Sequence, residues 1–225
     1  MKEITDFPEN REVEEIFGVK LEGLTLVYGE SGSGKTAFAL KVAEHFLQKN
    51  KKVLFLTTEE KYEDRERFSK LVNKYNKENI KFILVESVGD ILSLIQKENF
   101  PYDVVIIDYI YLPIEAESKQ ENPKRIKLLK EILLELKKFS AQKKVPILIT
   151  NQVYEKYKFD GTHSYAPLGG LTIYYLSNNR ILLRKTKKFN LRILSTSRFE
   201  KPIFINSEGF IETEEERGEK KWMKI

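Results

Sequence analysis

Eight residues near the amino end of the chain have the types and spacing of a phosphate-binding loop. They are Gly29, Glu30, Ser31, Gly32, Ser33, Gly34, Lys35 and Thr36, which fit the pattern G-x-x-x-x-G-K-[ST]. The glycines let backbone N–H groups point inward and form an anion nest at the start of a helix. We expect Lys35 to reach the β- and γ-phosphates of ATP, and the Thr36 hydroxyl to coordinate Mg²⁺. A chance glycine-rich turn is disfavoured, because an apolar run precedes the loop and a helical pattern follows it.

A phosphate loop of this kind needs an acidic residue that helps to hold the metal at the end of a buried strand. Asp108 ends the apolar run 104–107 and meets that requirement. The alternative is an aspartate that only begins a turn.

Two further polar positions follow predicted strands and distinguish a hydrolase from a simple kinase. Glu59 follows the run 53–57, where its carboxylate could act as general base on the attacking water. Glu60 competes for this role, and both acids could instead be solvated turn residues. Gln152 follows the run 146–150, and an amide at that place can sense the γ-phosphate.

The elements that must position these residues alternate between strands and helices. Strands are predicted at 24–28, 53–57, 81–85, 104–108 and 146–150, and helices at 37–48, 63–77, 91–97 and 123–143. The last helix has one apolar stripe, formed by Ile126, Leu129, Ile132, Leu133, Leu136 and Phe139. Near-continuous apolar strands separated by helices predict an α/β fold with a mostly parallel sheet covered on both faces.

The rhythm changes after Gly170, where short strands at 180–185, 191–197 and 201–206 predict an antiparallel extension of the sheet. The tail at about 212–225 is rich in charge and is expected to be solvated. We expect residues 1–225 to form a single domain.

Composition excludes several classes of function. The chain of 225 residues contains no cysteine and two histidines, His45 and His163, so thiol chemistry and a histidine-built zinc centre are excluded. No signal peptide or membrane-spanning run is present, which predicts a soluble, cytoplasmic protein without membrane contact. The net charge of +5 permits contact with nucleic acid.

Taken in order, these motifs resemble the RecA/RadA recombinase superfamily, and most of all its small archaeal branch, RadB. The most specific segments are 24–29, 149–154, 167–170, 176–185 and 205–211. The resemblance implies a RecA-like ATPase core with Glu59 as catalytic glutamate and Gln152 as ATP-sensing glutamine. It also implies an adenine-packing arginine at Arg67 or Arg65, slow or DNA-stimulated hydrolysis, and a possible homo-oligomer. The partners it implies are DNA, preferably single-stranded, and a recombinase of RadA type.

Two segments would face DNA on this resemblance. The first, 113–123, is mostly acidic and is a poor phosphate binder unless the basic residues at 124–127 compensate. The second, 154–170, interleaves aromatic and cationic side chains, which suits stacking on bases and contact with phosphates. We expect Lys156, Tyr157 and Lys158 to bind DNA there. The alternative is a polar loop whose tyrosines fold back on the core.

Two alternatives of another class stay open. One is an ATP-switched protein-interaction module without DNA binding, and the other is a KaiC-like regulatory ATPase or a small phosphotransferase.

Overall fold

Thirteen strands and six helices make up the part of the chain that the computed structural model describes, residues 14–59, 62–117, 122–157, 163–205 and 211–212. The strands are β1 (Glu14–Ile16), β2 (Val19–Leu21), β3 (Leu24–Gly29), β4 (Val53–Thr57), β5 (Ile80–Leu84), β6 (Val104–Asp108), β7 (Ile147–Asn151), β8 (Val153–Tyr157), β9 (His163–Pro167), β10 (Asn179–Lys185), β11 (Leu191–Ser195), β12 (Glu200–Ile205) and β13 (Ile211–Glu212). The helices are α1 (Lys35–Gln48), α2 (Tyr62–Lys74), α3 (Val88–Ile95), α4 (Tyr111–Glu117), α5 (Asn122–Lys143) and α6 (Gly170–Leu176). A single 3₁₀ turn covers Lys77–Asn79.

Nine of these strands form one central sheet in the order β13-β12-β11-β10-β3-β7-β6-β4-β5. The six strands from β10 to β5 run parallel, and β11, β12 and β13 add to this sheet in antiparallel fashion. The α/β fold class with its antiparallel extension is therefore confirmed. Because the six strands are parallel, all their carboxyl ends lie at the same edge of the sheet.

The central strands are apolar on both faces because helices cover both faces of the sheet. Every residue of β3, β6 and β7 is buried. On one face α1 packs Phe38, Leu40 and Phe46 against the sheet, and on the other α5 packs Leu129 and Leu133 against it. This double burial explains why the strands read as continuous hydrophobic runs rather than as alternating ones.

Several elements differ from the prediction. The segment 154–170 is not a loop: its described residues include the antiparallel hairpin of β8 and β9 and the start of α6. The segment 113–123 is helical in α4 as far as Glu117 and again from Asn122. Both were missed because their polar or mixed residues lack a clear apolar period. Ile126, expected on the buried stripe of α5, is 39% exposed because it lies near the amino end of that helix.

Length and charge bear on whether any helix could cross a bilayer. Among the helices of the described ranges, none combines sufficient length with sufficient apolar character to do so. The longest one, α5, has 22 residues but carries charged residues throughout.

A buried carboxylate joins the β1–β2 hairpin to the last turn of α1. Glu14 is 5% exposed, and its side chain accepts hydrogen bonds from Lys49 (2.6 Å) and Lys51, while His45 Nε2 lies 2.7 Å from it. Burial by itself raises the pKa of Glu14, but the hydrogen bonds with Lys49, Lys51 and His45 outweigh burial and lower that pKa to about 2. The helix that begins with Lys35 is thus anchored at its far end.

Replacing Glu14 with Gln tests this anchor through the pH dependence of stability. The folded-state pKa lies below the ordinary value of 4.5, so the carboxylate stabilises the fold above that pH and loses this effect as the pH falls towards about 2. We expect Glu14→Gln to lower the free energy of unfolding at pH 7 by about 1–3 kcal/mol. The loss of stability between pH 4.5 and 2 should become smaller, as measured by urea unfolding. The exposed neighbour Glu15→Gln is the control and should change neither quantity.

Candidate nucleotide-binding site

The carboxyl ends of β3, β4, β6 and β7 surround a cleft of about 300 Å³. Nine residues expected from the sequence line it: Ser31, Gly32, Gly34, Lys35, Thr36, Glu59, Arg67, Asp108 and Gln152. The strand register brings them together, because Thr57 pairs with Asp108 and Tyr28 pairs with Asn151. A larger cavity of about 670 Å³ lies near the amino ends of the strands, beside Glu14 and Lys144, but no phosphate loop borders it. We therefore treat the smaller cleft as the functional one and call it the nucleotide cleft.

The phosphate loop, residues 29–36, has a compact backbone that requires glycine at two positions. A Cβ atom at Gly29 would lie 2.2 Å from the carbonyl oxygen of Leu183 and 2.6 Å from Ser33 Oγ. Gly34 precedes α1 with φ +98°, a left-handed conformation that glycine adopts without strain. The hydroxyl oxygen of Ser33 is buried without a hydrogen-bond partner. The loop thus has the backbone shape of an anion nest.

Lys35 lies over this loop. Its ammonium group donates hydrogen bonds to the carbonyl oxygens of Gly29 (2.9 Å) and Glu30 (2.8 Å). The positive charge is therefore held against the phosphate loop at the start of α1. This is the position from which a lysine can contact a bound polyphosphate.

Asp108 is 7% exposed, and its two oxygens accept hydrogen bonds from two different elements. Oδ2 accepts one from the Thr36 hydroxyl at 2.8 Å, and Oδ1 accepts one from the Thr150 hydroxyl at 2.6 Å. One hydroxyl and one carboxylate facing each other at the cleft suit Mg²⁺, which keeps several waters and takes further oxygens from phosphates. The described residues contain no cluster of three or more His, Asp or Glu side chains able to hold a metal. A magnesium ion here would hence rely on nucleotide and water for its other ligands.

The backbone after Asp108 turns sharply and is fastened to both neighbouring strands. Tyr109 has φ +63°, a conformation that non-glycine residues adopt at a cost of about 1–3 kcal/mol when nothing supports it. Its N–H donates to the Thr150 hydroxyl at 2.7 Å, and the Thr58 hydroxyl lies 2.8 Å from its carbonyl oxygen. These bonds lock the ends of β4, β6 and β7 against each other.

Tyr109 also reports on the electrostatics of the cleft. Burial, together with the negative charges of Glu115 and Glu59, raises the pKa of its phenol to about 12. The phenol therefore stays protonated at neutral pH. Glu59 and Tyr109 both line the cleft, so this acid lies near the turn that follows Asp108.

Glu59 and Gln152 stand on opposite sides of Asp108. The backbone carbonyl of Glu59 accepts a hydrogen bond from the Thr57 hydroxyl at 2.9 Å, directly after β4. The carbonyl of Gln152 accepts one from the N–H of Leu168 at 2.9 Å, which joins the start of β8 to the end of β9. Gln152 thus connects the nucleotide cleft to the β8–β9 hairpin.

The choice of the base between two neighbouring acids stays a prediction. Glu59 lines the nucleotide cleft, which agrees with the role expected for it. Glu60, its competitor in sequence, lies outside the described residues.

The structure describes only some of the residues that are expected to bind DNA. Lys156 and Tyr157 belong to β8 by their backbone, whereas Lys158 lies outside the described residues. Of the two arginines considered for adenine, Arg67 on α2 lines the nucleotide cleft. The side chain of Arg65 lies outside the described part.

Three polar residues that line the cleft, Tyr109, Thr150 and Arg192, were not assigned a role from sequence, and neither was Thr58, which supports Tyr109 from outside the lining. The hydroxyls of Thr58 and Thr150 act through partners on other strands, so local pattern carries no signal for them. Arg192 lies on β11, 160 residues after Gly32, and its side chain donates a hydrogen bond to the carbonyl oxygen of Gly32 at 3.2 Å. Because Arg192 is so distant from the phosphate loop along the chain, no local sequence pattern places it there.

Comparisons with known proteins agree on a P-loop nucleotide-binding core. The family model described as CobU, cobinamide kinase / cobinamide phosphate guanyltransferase, matches residues 25–157. A DNA repair and recombination protein RadB from Methanococcoides burtonii is 26% identical over 77% of this chain and 80% of its own length. RadB proteins from Methanobrevibacter smithii (25% identical; 88% of this chain, 92% of the relative) and Thermoplasma volcanium (30%; 61% and 60%) are also similar.

A solved structure extends the likeness to the fold. The ATPase domain of a helicase superposes with a TM-score of 0.67 at 18% identity, covering 87% of this chain and 86% of that one. At this identity the comparison shows a RecA-like ATPase fold and nothing finer.

Thr150→Val tests the support that Thr150 lends to Asp108. Valine keeps the shape but leaves Asp108 Oδ1 and the N–H of Tyr109 without this partner, which costs about 1–3 kcal/mol for a buried group. We expect a lower free energy of unfolding and a higher Mg²⁺ concentration for half-maximal nucleotide binding, measured by denaturant titration and by binding at varied Mg²⁺.

Thr25→Val is the matched control. Thr25 is equally buried on β3, but its hydroxyl oxygen has no hydrogen-bond partner, so its loss should leave stability unchanged or raised. Equal effects of the two replacements would show that the bonds of Thr150 contribute nothing specific.

Proposed function

We propose that this protein acts as an ATPase in DNA repair and homologous recombination. The chain belongs to the CobU family of P-loop proteins by its segment 25–157. It is also a relative of archaeal RadB along most of its length. The observation that carries the proposal is the nucleotide cleft, in which Lys35, Thr36, Glu59, Asp108 and Gln152 meet at the carboxyl edge of a RecA-like sheet.

The extent of the two likenesses favours recombination over the chemistry in the family description. The family match ends at residue 157, before β10, β11 and β12. The likeness to the RadB protein of Methanobrevibacter smithii covers 88% of this chain and 92% of that protein. Since a P-loop core is common to both groups, the additional strands support the RadB assignment. Phosphorylation or guanylylation of cobinamide is kept as an outcome of the tests below.

ATP binding would rest on groups that are already in place. The amides of residues 29–36 and the ammonium group of Lys35 would bind the phosphates, and Arg67, which lines the cleft, would pack on the adenine. Thr36 and Asp108 would hold Mg²⁺. When bound, the ion withdraws charge from the β- and γ-phosphates.

Hydrolysis would need a base and a sensor. Glu59 takes a proton from a water whose oxygen attacks the γ-phosphorus, and the bond from that phosphorus to the bridging oxygen of ADP breaks. Gln152 senses the γ-phosphate, and its bond to Leu168 gives the β8–β9 hairpin a direct connection to the cleft. ATP occupancy would thereby change the order of the hairpin. We propose slow hydrolysis that DNA can stimulate.

The proposed partners follow from the RadB likeness. We propose that the protein binds DNA, preferably single-stranded, through Lys156, Tyr157 and Lys158, assists a recombinase of RadA type, and can form homo-oligomers. Its location would be the cytoplasm, and residues 1–225 would act as one domain.

Glu59→Gln separates nucleotide binding from chemistry. Glutamine keeps the size and hydrogen bonding of the side chain but cannot take the proton, so turnover should fall by roughly 10²–10⁴ while ATP still binds. Phosphate release and nucleotide titration measure the two effects. Lys35→Ala is the comparison and should weaken binding itself. Loss of turnover in Glu60→Gln instead would move the base by one residue, and normal binding and turnover in Lys35→Ala would reject the phosphate-loop assignment.

Replacing Lys156 and Lys158 together with Ala tests the DNA site. We expect weaker binding to single strands, and a plot of log affinity against log salt that is shallower by roughly 0.7 for each lost phosphate contact. ATP binding should persist, because neither lysine belongs to the phosphate loop. Titrations of a labelled oligonucleotide at several salt concentrations, with and without ATP, measure this.

The control removes the same charge elsewhere. Lys52 and Lys81 are exposed near the amino ends of β4 and β5, away from the nucleotide cleft, and their double replacement with Ala should leave the slope unchanged. Equal losses from both pairs would assign the effect to net charge. If the parent binds no DNA, the ATP-switched module is favoured, and transfer of phosphate or GMP to cobinamide would favour the chemistry of the family description.

A further inference from the structure

The β10–β11 hairpin brings two cationic side chains to the phosphate loop. Leu183 of β10 pairs with Gly29, so the residues that follow Leu183 extend beyond the end of β3 beside the loop. Lys185 pairs with Arg192 across the hairpin, and paired residues in antiparallel strands have side chains on the same face. A Cβ atom at Gly32 would lie 3.6 Å from Lys185 Nζ. Arg192 therefore lines the nucleotide cleft, and Lys185 lies at its rim beside Gly32.

Arg192 is held in place by carbonyl oxygens alone. Its Nη1 donates to Phe189 (2.7 Å) and Leu191 (2.9 Å), and its Nη2 donates to Gly32 (3.2 Å). The Nε–H is buried and has no hydrogen-bond partner. Burial lowers the pKa of this guanidinium, and the nearby charge of Glu30 opposes that effect. An arginine nevertheless keeps its charge at neutral pH, so the structure carries a partly desolvated positive charge next to the anion nest.

A neighbouring arginine on the same hairpin shows what Arg192 lacks. Arg184 pairs with Ile193, so it lies on the opposite face, where Nη2 forms an ion pair with Glu200 at 2.7 Å and donates to Ser195 at 3.2 Å. Within the described ranges, no carboxylate comes within 4.0 Å of Arg192 or Lys185. A buried or half-buried charge normally has a counter-ion. Glu30 is near enough to act on Arg192 through its charge but makes no direct ion pair with it, and the place of a directly bound counter-ion suits an anionic ligand.

We propose that Arg192, with Lys185 at the rim, forms a second cationic contact for the phosphate chain of the nucleotide, opposite Lys35 and within the same chain. This inference rests on the proposed nucleotide binding. It adds that the β10–β11 hairpin contributes to affinity through phosphate charge rather than through the nucleoside. The guanidinium lines the cleft, and its bonds to the carbonyl oxygens of Phe189 and Leu191 hold it at that position.

The experiment measures the affinity of the full chain for ATP, ADP, AMP and adenosine in parent, Arg192→Ala, Arg192→Lys and Lys185→Ala. A charge-assisted hydrogen bond to phosphate corresponds to a loss of roughly tenfold or more in affinity when it is removed. We expect Arg192→Ala to lose that factor for ATP and to keep the parent affinity for adenosine. Arg192→Lys should retain part of the ATP affinity, and Lys185→Ala should lose less than Arg192→Ala.

Arg184→Ala is the matched control, since it removes the same charge from the other face of the hairpin and should bind ATP like the parent. Equal ATP affinity of parent and Arg192→Ala would overturn the inference, and so would equal losses for ATP and adenosine. If Lys35→Ala weakens ATP binding while Arg192→Ala does not, only this inference fails. If the parent binds no nucleotide, the proposed function fails with it.

A mixing test examines whether the contact is made within one chain. Lys35→Ala and Arg192→Ala each keep one of the two cations. Recovery of tight ATP binding on mixing them would mean that Arg192 serves the cleft of another copy, which would overturn the assignment to the same chain. We expect no recovery.

Discussion

A buried carboxylate is stable as an anion only where hydrogen bonds replace its hydration, and the arrangement of this cleft depends on that constraint at Asp108. Its two oxygens accept from Thr36 at the start of α1 and from Thr150 on β7, so one side chain holds a helix and a neighbouring strand in register. The same threonine of β7 accepts the N–H of Tyr109 and thereby supports a left-handed turn. The hydrogen bonds of Asp108 consequently fix both the distance between Thr36 and Asp108 and the shape of the neighbouring strand ends.

The parallel sheet supplies the second condition for function. Residues separated widely in sequence meet because β3, β4, β6 and β7 all end at one edge, and the helices that cover both faces leave that edge open. Two hairpins then border the cleft. The β8–β9 hairpin is connected through Gln152 and Leu168, and the β10–β11 hairpin through Arg192 and Gly32. The phosphate loop is therefore bordered on two sides by hairpins that are bonded directly to the cleft.

This arrangement gives a physical reason why the chain resembles both the cobinamide family model and the RadB proteins. The segment 25–157, which matches the cobinamide family model, contains the phosphate loop, Asp108 and the strands that align them, and this is the part a P-loop protein needs for phosphate binding whatever its substrate. The strands that follow supply Arg192 and the antiparallel extension, and the likeness to one RadB protein covers 88% of this chain, more than the family model does. We therefore expect the residues that distinguish one P-loop activity from another to lie at the borders of the cleft, rather than in the phosphate loop and the strands that align it.

The sequence by itself determined the phosphate loop, the buried parallel strands, the α/β fold class and the position of Asp108 at a strand end. These depend on short-range causes: glycines that permit positive φ or close approach, and apolar runs of strand length. The β8–β9 hairpin and α4 escaped the prediction because their residues lack a clear apolar period. Only the tertiary structure decided which polar groups meet, since Thr150 bonds to Asp108 across 42 residues and Arg192 to Gly32 across 160. Such contacts follow from strand order and register, which no local pattern encodes.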